Sequence, residues 1–123
     1  MTGVWCSVQQ DRLESITRTM TTTIQHRGPD DSGVWVDDSI GLGLGHRRLS
    51  ILDLSSAGHQ PMHSSNDQYV IVFNGEIYNH LELRAELDNN SNSHAHHRVA
   101  GATLKWRGHS DTETLLAGLS IGV

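Results

Sequence analysis

Leu13, Ile16, Met20 and Ile24 recur at steps of three, four and four, the spacing of one helix face, and predict a helix from about Asp11 to Gln25. Asp11 with Glu14 three residues later is a capping-box-like start, and Gly28-Pro29 closes the segment. Thr17, Thr19, Thr21, Thr22 and Thr23 lower its intrinsic helicity, so packing must hold it. Ahead of it, Gly3–Val8 reads as a short strand. Beyond it the period switches to two. Gly33–Val36 and Ile40–Gly45 flank the polar Asp37-Asp38-Ser39 and predict a hairpin. Leu42 and Leu44 share one face of its second strand, with Gly41, Gly43 and Gly45 on the other, a pattern that suggests close approach by another backbone or a ligand. Leu49–Leu54 and Gln68–Asn74 predict further strands, joined by a polar loop that holds Gly58 and Pro61. The run Val70–Phe73, apolar on both faces, suits a central strand covered on both sides. Ile77–Leu87 reads as a helix, Asp88–Ser93 as a low-complexity loop reaching to about Thr103, and Asp111 or Thr112 to Leu119 as a final helix. The fold class implied is mixed α/β with mostly antiparallel pairing, because the strand connections are short.

Bulk properties narrow this picture. A chain of 123 residues supports one domain, and no internal repeat divides it. One Phe and two Tyr leave few large core fillers. The net charge of −5 argues against a nucleic-acid partner, which wants a basic face. Val70–Phe73 is far too short to cross a membrane, and the first residues lack the basic and apolar regions of a signal peptide. Cys6, the lone cysteine, has no internal disulfide partner. The expectation is a soluble cytoplasmic protein.

Four segments combine glycine or a turn with charged or amide groups: HRGPDDSG at 26–33, GHRRLSILDLS at 45–55, FNGEIYNH at 73–80 and RGHSDTE at 107–113. Together they contain the parts for holding a free amino acid. A guanidinium such as Arg48 can grip an α-carboxylate through two parallel hydrogen bonds. Glu76 and Asp111 can pair with an α-ammonium. A strand ending in Asn74-Gly75 can offer a side-chain amide and a backbone N–H to a developing oxyanion, and Gly75 allows an unusual φ and close approach. Each part also has a plain structural reading. Asn-Gly after a strand is usually a turn, Arg47 and Arg48 near Asp53 suit a surface salt-bridge patch, and Asp111 before Thr112-Glu113 suits a helix N-cap. His94, His96 and His97 lie in a polar tract without the further ligands a structural or catalytic zinc site needs, so no metal function is assigned to them.

In this order, the four segments resemble the glutaminase domain of the asparagine synthetases, a class II glutamine amidotransferase, over about residues 3 to 119. The resemblance implies the N-terminal-nucleophile hydrolase fold, a four-layer αββα sandwich. It also implies hydrolysis of glutamine to supply ammonia for ATP-dependent amidation of aspartate or a related acid. Position by position, Arg48 matches the arginine that holds the glutamine carboxylate, with Leu49, Ser50, Ile51 and Leu52 as the binding strand beside it. Asn74 and Gly75 match the oxyanion hole, and Glu76 and Asp111 match the carboxylates that meet the ammonium. Arg27 lies in a motif near the nucleophile.

Two departures qualify the match. The family begins Met-Cys-Gly-Ile and uses that cysteine as nucleophile with its own α-amine as base, whereas this chain begins Met1-Thr2-Gly3-Val4. An ungapped alignment therefore puts Thr2 at the nucleophile's position. The preferred reading is that the cysteine-bearing strand lies upstream and that Thr2 to Cys6 form the loop before the first helix. Cys6, with five residues before it, is expected to be a small buried thiol. At the other end, nothing resembles the Ser-Gly-Gly-x-Asp loop of the synthetase domain, to which ATP and magnesium belong. The chain is thus expected to be a partial amidotransferase domain, with its sandwich incomplete at the C-terminus and no cofactor of its own. Its expected partners are glutamine and either a synthetase domain or a second copy of the chain. The alternative is a non-catalytic remnant that binds glutamine or a partner chain without turnover.

Overall fold

The computed structural model describes residues 1–6, 10–50, 56–93 and 104–121. Strand β1 (Thr2–Trp5) is followed by helix α1 (Gln10–Thr23), strands β2 (Asp31–Asp37), β3 (Leu42–Arg48), β4 (Met62–His63) and β5 (Val70–Ile71), and helices α2 (His80–Ser93) and α3 (Asp111–Ile121). The first three strands form an antiparallel sheet in the order β1-β3-β2, and β4 and β5 form an antiparallel ribbon. The architecture is mixed α/β with antiparallel sheets.

Strand alternation decides which side each residue faces. Gly43 and Gly45 of β3, with Thr2 and Val4 of β1 paired across from them, turn toward α1. Gly33 and Trp35 of β2 turn the other way, where a Cβ on Gly33 would overlap the Gln60 carbonyl and where the Trp35 ring meets His63 edge-on at 6.3 Å. Beyond that ribbon, Gln60 reaches Thr112 of α3 at 3.3 Å, and α2 packs against α3. The layers therefore run helix, sheet, sheet, helix.

Helix α1 buries a different ridge from the one its apolar period predicts. Leu13, Thr17 and Thr21 are each 1% exposed, while Ile16, Met20 and Ile24 are half-buried. The alternate glycines of β3 are the cause. A Cβ at Gly43 or Gly45 would overlap Thr17 or Thr21 Oγ1, so those glycines admit a ridge of small side chains and no ligand. The two threonine hydroxyls remain satisfied by donating to the carbonyls of Leu13 and Thr17, at 2.8 and 2.7 Å.

Other expectations are corrected. Thr2–Trp5 is a strand hydrogen-bonded along β3 and not a loop. Cys6 is half-buried, its N–H donating to the Gly41 carbonyl at 3.0 Å. The second strand of the hairpin runs on to Arg48, so Leu49 and Ser50 follow the strand instead of opening a new one; the Ser50 N–H turns to Asp30 Oδ2 at 2.7 Å. Val70–Phe73 is no central strand. β5 pairs with β4 alone among the described strands, and the Phe73 N–H donates to the Gln60 side chain at 2.6 Å. The tract Asp88–Ser93 continues α2, because extending a formed helix costs less than starting one. Leu87 is 6% exposed and Asp88 accepts from Trp106 Nε1 at 3.1 Å, which ties that turn to the fold. His94, His96 and His97 lie outside the described residues, as do Ile51 and Leu52. None of the described helices is long and apolar enough to cross a membrane.

Candidate active site

Counting by twos from Leu44 places His46 and Arg48 on the sheet face opposite α1. The strand end that carries Arg48 is tied to the 26–33 segment. Arg47 Nε donates to the Gly28 carbonyl at 2.8 Å, and the Asp30 N–H donates to the Arg48 carbonyl at 3.0 Å. A Cβ at Gly28 would sit 2.5 Å from Arg47 C and 2.6 Å from Arg48 N, so this crossing of two main chains needs glycine. Asp31 is bound to His59 Nδ1 at 2.8 Å. Burial alone would raise its pKa, but the hydrogen bonds from His59 and the Ser32 N–H, with the nearby charges of His59 and Arg48, hold it below its ordinary 3.8.

A second wall is the stretch Asn74-Gly75-Glu76. Gln60, 6% exposed, braces it from behind by accepting from the Phe73 N–H while donating to Thr112 Oγ1. On the far side the Ile77 N–H donates to Asp111 Oδ2 at 2.9 Å, and Asp111 Oδ1 accepts from the Thr112 N–H at 2.8 Å. The carboxylate of Asp111 is thus oriented by two backbone donors. Gly75 does not use a left-handed φ. It is glycine for the other reason, since a Cβ there would lie 2.7 Å from the Phe73 ring.

A buried ion pair holds the last wall. Glu113, with its side chain 7% exposed, accepts from the N–H groups of Arg107 and Gly108 at 2.7 and 3.1 Å and from Arg84 Nη2 at 3.2 Å. Arg84 also donates to the carbonyls of Gly108 and Ser110 and stacks 4.1 Å from the Trp106 ring centroid. The lock fixes the stretch from Trp106 to Ser110 and so aims the start of α3.

One cavity of about 690 Å³ joins these walls. Arg48, Leu49, Asn74, Gly75, Glu76 and Asp111 line it, as does Arg27, whereas Ser50 and Thr2 do not. The Thr2 hydroxyl lies on the α1 face, 3.0 Å from Thr21 Oγ1, and Met1 occupies the cavity edge instead. Further liners include His46, His80 and His109, which lie within the sequence motifs but receive no role from them, and Gln60, which lies outside them. His46 could have been found, being two residues before Arg48 on a strand. Gln60 offered no local signal, because its partners lie 13 and 52 residues away.

The model of the glutamine amidotransferase domain family matches residues 1–121. The chain belongs to that family. This amidotransferase domain is 42% identical over 104 residues to glutamine-hydrolyzing asparagine synthetase 1 of Bacillus subtilis, a match covering 85% of the chain and 14% of that protein. It is 46% identical over 67 residues to asparagine synthetase B of Escherichia coli, covering 54% of the chain and 12% of that protein. It is 39% identical over 94 residues to the amidase chry2 of Gibberella zeae, covering 76% of the chain and 12% of that protein. The chain spans about one-seventh of the length of the Bacillus subtilis relative.

His46 gives the domain a defined pH response. Burial, then repulsion by the N-terminal ammonium, lowers its pKa from the ordinary 6.5, against a hydrogen bond to the Phe73 main chain. As pH falls below 6.5 the unfolded imidazole therefore takes up a proton before the folded one does, and stability falls until the folded pKa is passed. Thermal melting followed downward from about pH 7 should show this loss, and His46→Phe should flatten it. Asp31 acts in a separate, more acidic window, below its ordinary 3.8. An unchanged pH slope in His46→Phe would assign the loss to other groups.

Proposed function

We propose that this chain is the glutamine-binding domain of an asparagine synthetase-like enzyme. In that enzyme the glutamine amide is hydrolysed to glutamate and ammonia, and the ammonia serves ATP-dependent amidation of aspartate or a related acid. The observation that carries the reading is that one cavity is lined by Arg48, Asn74, Gly75, Glu76 and Asp111 together. Arginines and two carboxylates lining one cavity are complementary to the α-carboxylate and α-ammonium of a free amino acid. The Asn74 amide and Gly75 N–H then suit the side-chain carbonyl, where negative charge develops during hydrolysis. Two of the relatives are glutamine-hydrolyzing asparagine synthetases and the third is an amidase, which supports glutamine hydrolysis with a carboxylic acid as the acceptor.

Binding without efficient turnover is the behaviour we infer for this chain by itself. Its candidate nucleophile, Thr2, shares a hydrogen bond with Thr21 on the helix side of the sheet, and strand alternation keeps it there. A hydroxyl is moreover a poorer nucleophile than a thiolate near neutral pH. Calorimetric titration with L-glutamine should give saturable one-to-one binding, and ammonia release should be the same in the wild type and Thr2→Ala. Absence of binding would overturn the glutamine reading. Ammonia release that disappears in Thr2→Ala would overturn the inference of a silent site and make Thr2 the nucleophile.

A further inference from the structure

We infer that Gly58 is a positioning residue for the Arg48 guanidinium and thereby sets the preference of the cavity for an α-carboxylate. The inference rests on the glutamine reading for its ligand, though not for its geometry. Gly58 is buried in the short 3₁₀ turn Ser56–Gly58 and lines the same cavity as Arg48. A Cβ built on it would overlap Arg48 Nη2 and lie 2.6 Å from Cζ and 2.9 Å from Nη1. The whole planar head of the arginine therefore rests on the bare backbone of Gly58.

What such a Cβ meets separates Gly58 from Gly28 and Gly33. At Gly28 it meets the main chain of Arg47 and Arg48, and at Gly33 the main chain of Gln60. Main chain cannot yield without moving a strand or a loop. At Gly58 the three nearest atoms are all at the far end of one flexible side chain. Gly58 also has no left-handed φ, so alanine fits its backbone. Alanine at 58 is thus accommodated by displacing the guanidinium, a side-chain move and not a main-chain one, which takes the two-pronged grip from its place. A rigid fork is sensitive to such displacement because both of its hydrogen bonds depend on one plane. Gly58 never touches the ligand in this account. It acts through Arg48.

The test uses Gly58→Ala, Arg48→Ala, Arg48→Lys and the doubles of Gly58→Ala with each, read by thermal melting, by crystal structure, and by calorimetry with L-glutamine and L-glutaminamide, which lacks the carboxylate. Gly58→Ala is expected to melt close to the wild type and to show a displaced guanidinium. It should lose roughly 10- to 100-fold in glutamine affinity, the range for one charge-assisted hydrogen bond, with most of the preference over glutaminamide gone. On the Arg48→Ala background it should cost nothing more, and with the shorter head of Arg48→Lys little more. A Gly58→Ala chain that fails to fold, an unmoved guanidinium, or an equal loss on the Arg48→Ala background would each overturn the inference. A wild type that does not bind glutamine would instead overturn the glutamine reading, and the position of the guanidinium in Gly58→Ala would still decide the geometry.

Discussion

Glu113→Ala is expected to lower the stability of the domain by about 3–5 kcal/mol, the range for removing one member of a buried ion pair. Glu113 and Arg84 are 7% and 11% exposed in their side chains, so neither charge can turn to water when its partner is lost. Removing the carboxylate also strands the N–H groups of Arg107 and Gly108, which it accepts at 2.7 and 3.1 Å. The Arg107 side chain contributes little to this figure, being 50% exposed and 3.4 Å away. Glu113→Gln keeps an acceptor while removing the charge, and should fall between the wild type and Glu113→Ala. Urea denaturation measures the difference, and a loss below about 1 kcal/mol would reduce the network to the level of a surface ion pair. Because the lock holds the residues just before Asp111, glutamine binding should weaken in parallel with stability.

Arg48→Ala is expected to weaken glutamine binding by about 2–5 kcal/mol, with a much smaller effect on melting. The cost arises from leaving the ligand carboxylate in a cavity without its counter-charge, while Glu76 and Asp111 remain to repel it. Arg48→Lys should recover only part of the loss, since an ammonium provides a point charge without the planar fork. Calorimetry on the three chains tests this order, and wild-type affinity in Arg48→Ala would remove the residue from the site. The two substitutions separate the roles of two arginines. Arg84 is held by protein carbonyls, a hydroxyl and Glu113, and Arg48 lines the cavity.

The limits of the sequence are instructive at particular residues. Val70–Phe73 has the composition of a central strand, yet a strand becomes central only if neighbours pair on both sides, and those neighbours are not adjacent in sequence. Asp88–Ser93 has the composition of a loop, but α2 had already been nucleated and Asp88 found Trp106, 18 residues on. The alternate glycines of β3 suggest room for a backbone or a ligand. The pattern was sound and its cause was a threonine ridge.

The sequence by itself determined the mixed α/β class and the existence of α1, the β2–β3 hairpin and α3, while the grouping of Arg48, Asn74, Gly75, Glu76 and Asp111 is what the family resemblance implied, and all five line one cavity. The elements rest on short-range periodicity and on turn residues close along the chain. Only the tertiary structure decided that α1 buries Thr17 and Thr21, that Gln60 and the Arg84–Glu113 pair brace the cavity, and that Thr2 faces the helix. The reason is register. Thr2 is paired with Gly45, 43 positions away, and that pairing alone fixes which face of the sheet its hydroxyl occupies. A shift of one residue would reverse it, and nothing local to Thr2 could have told the two apart.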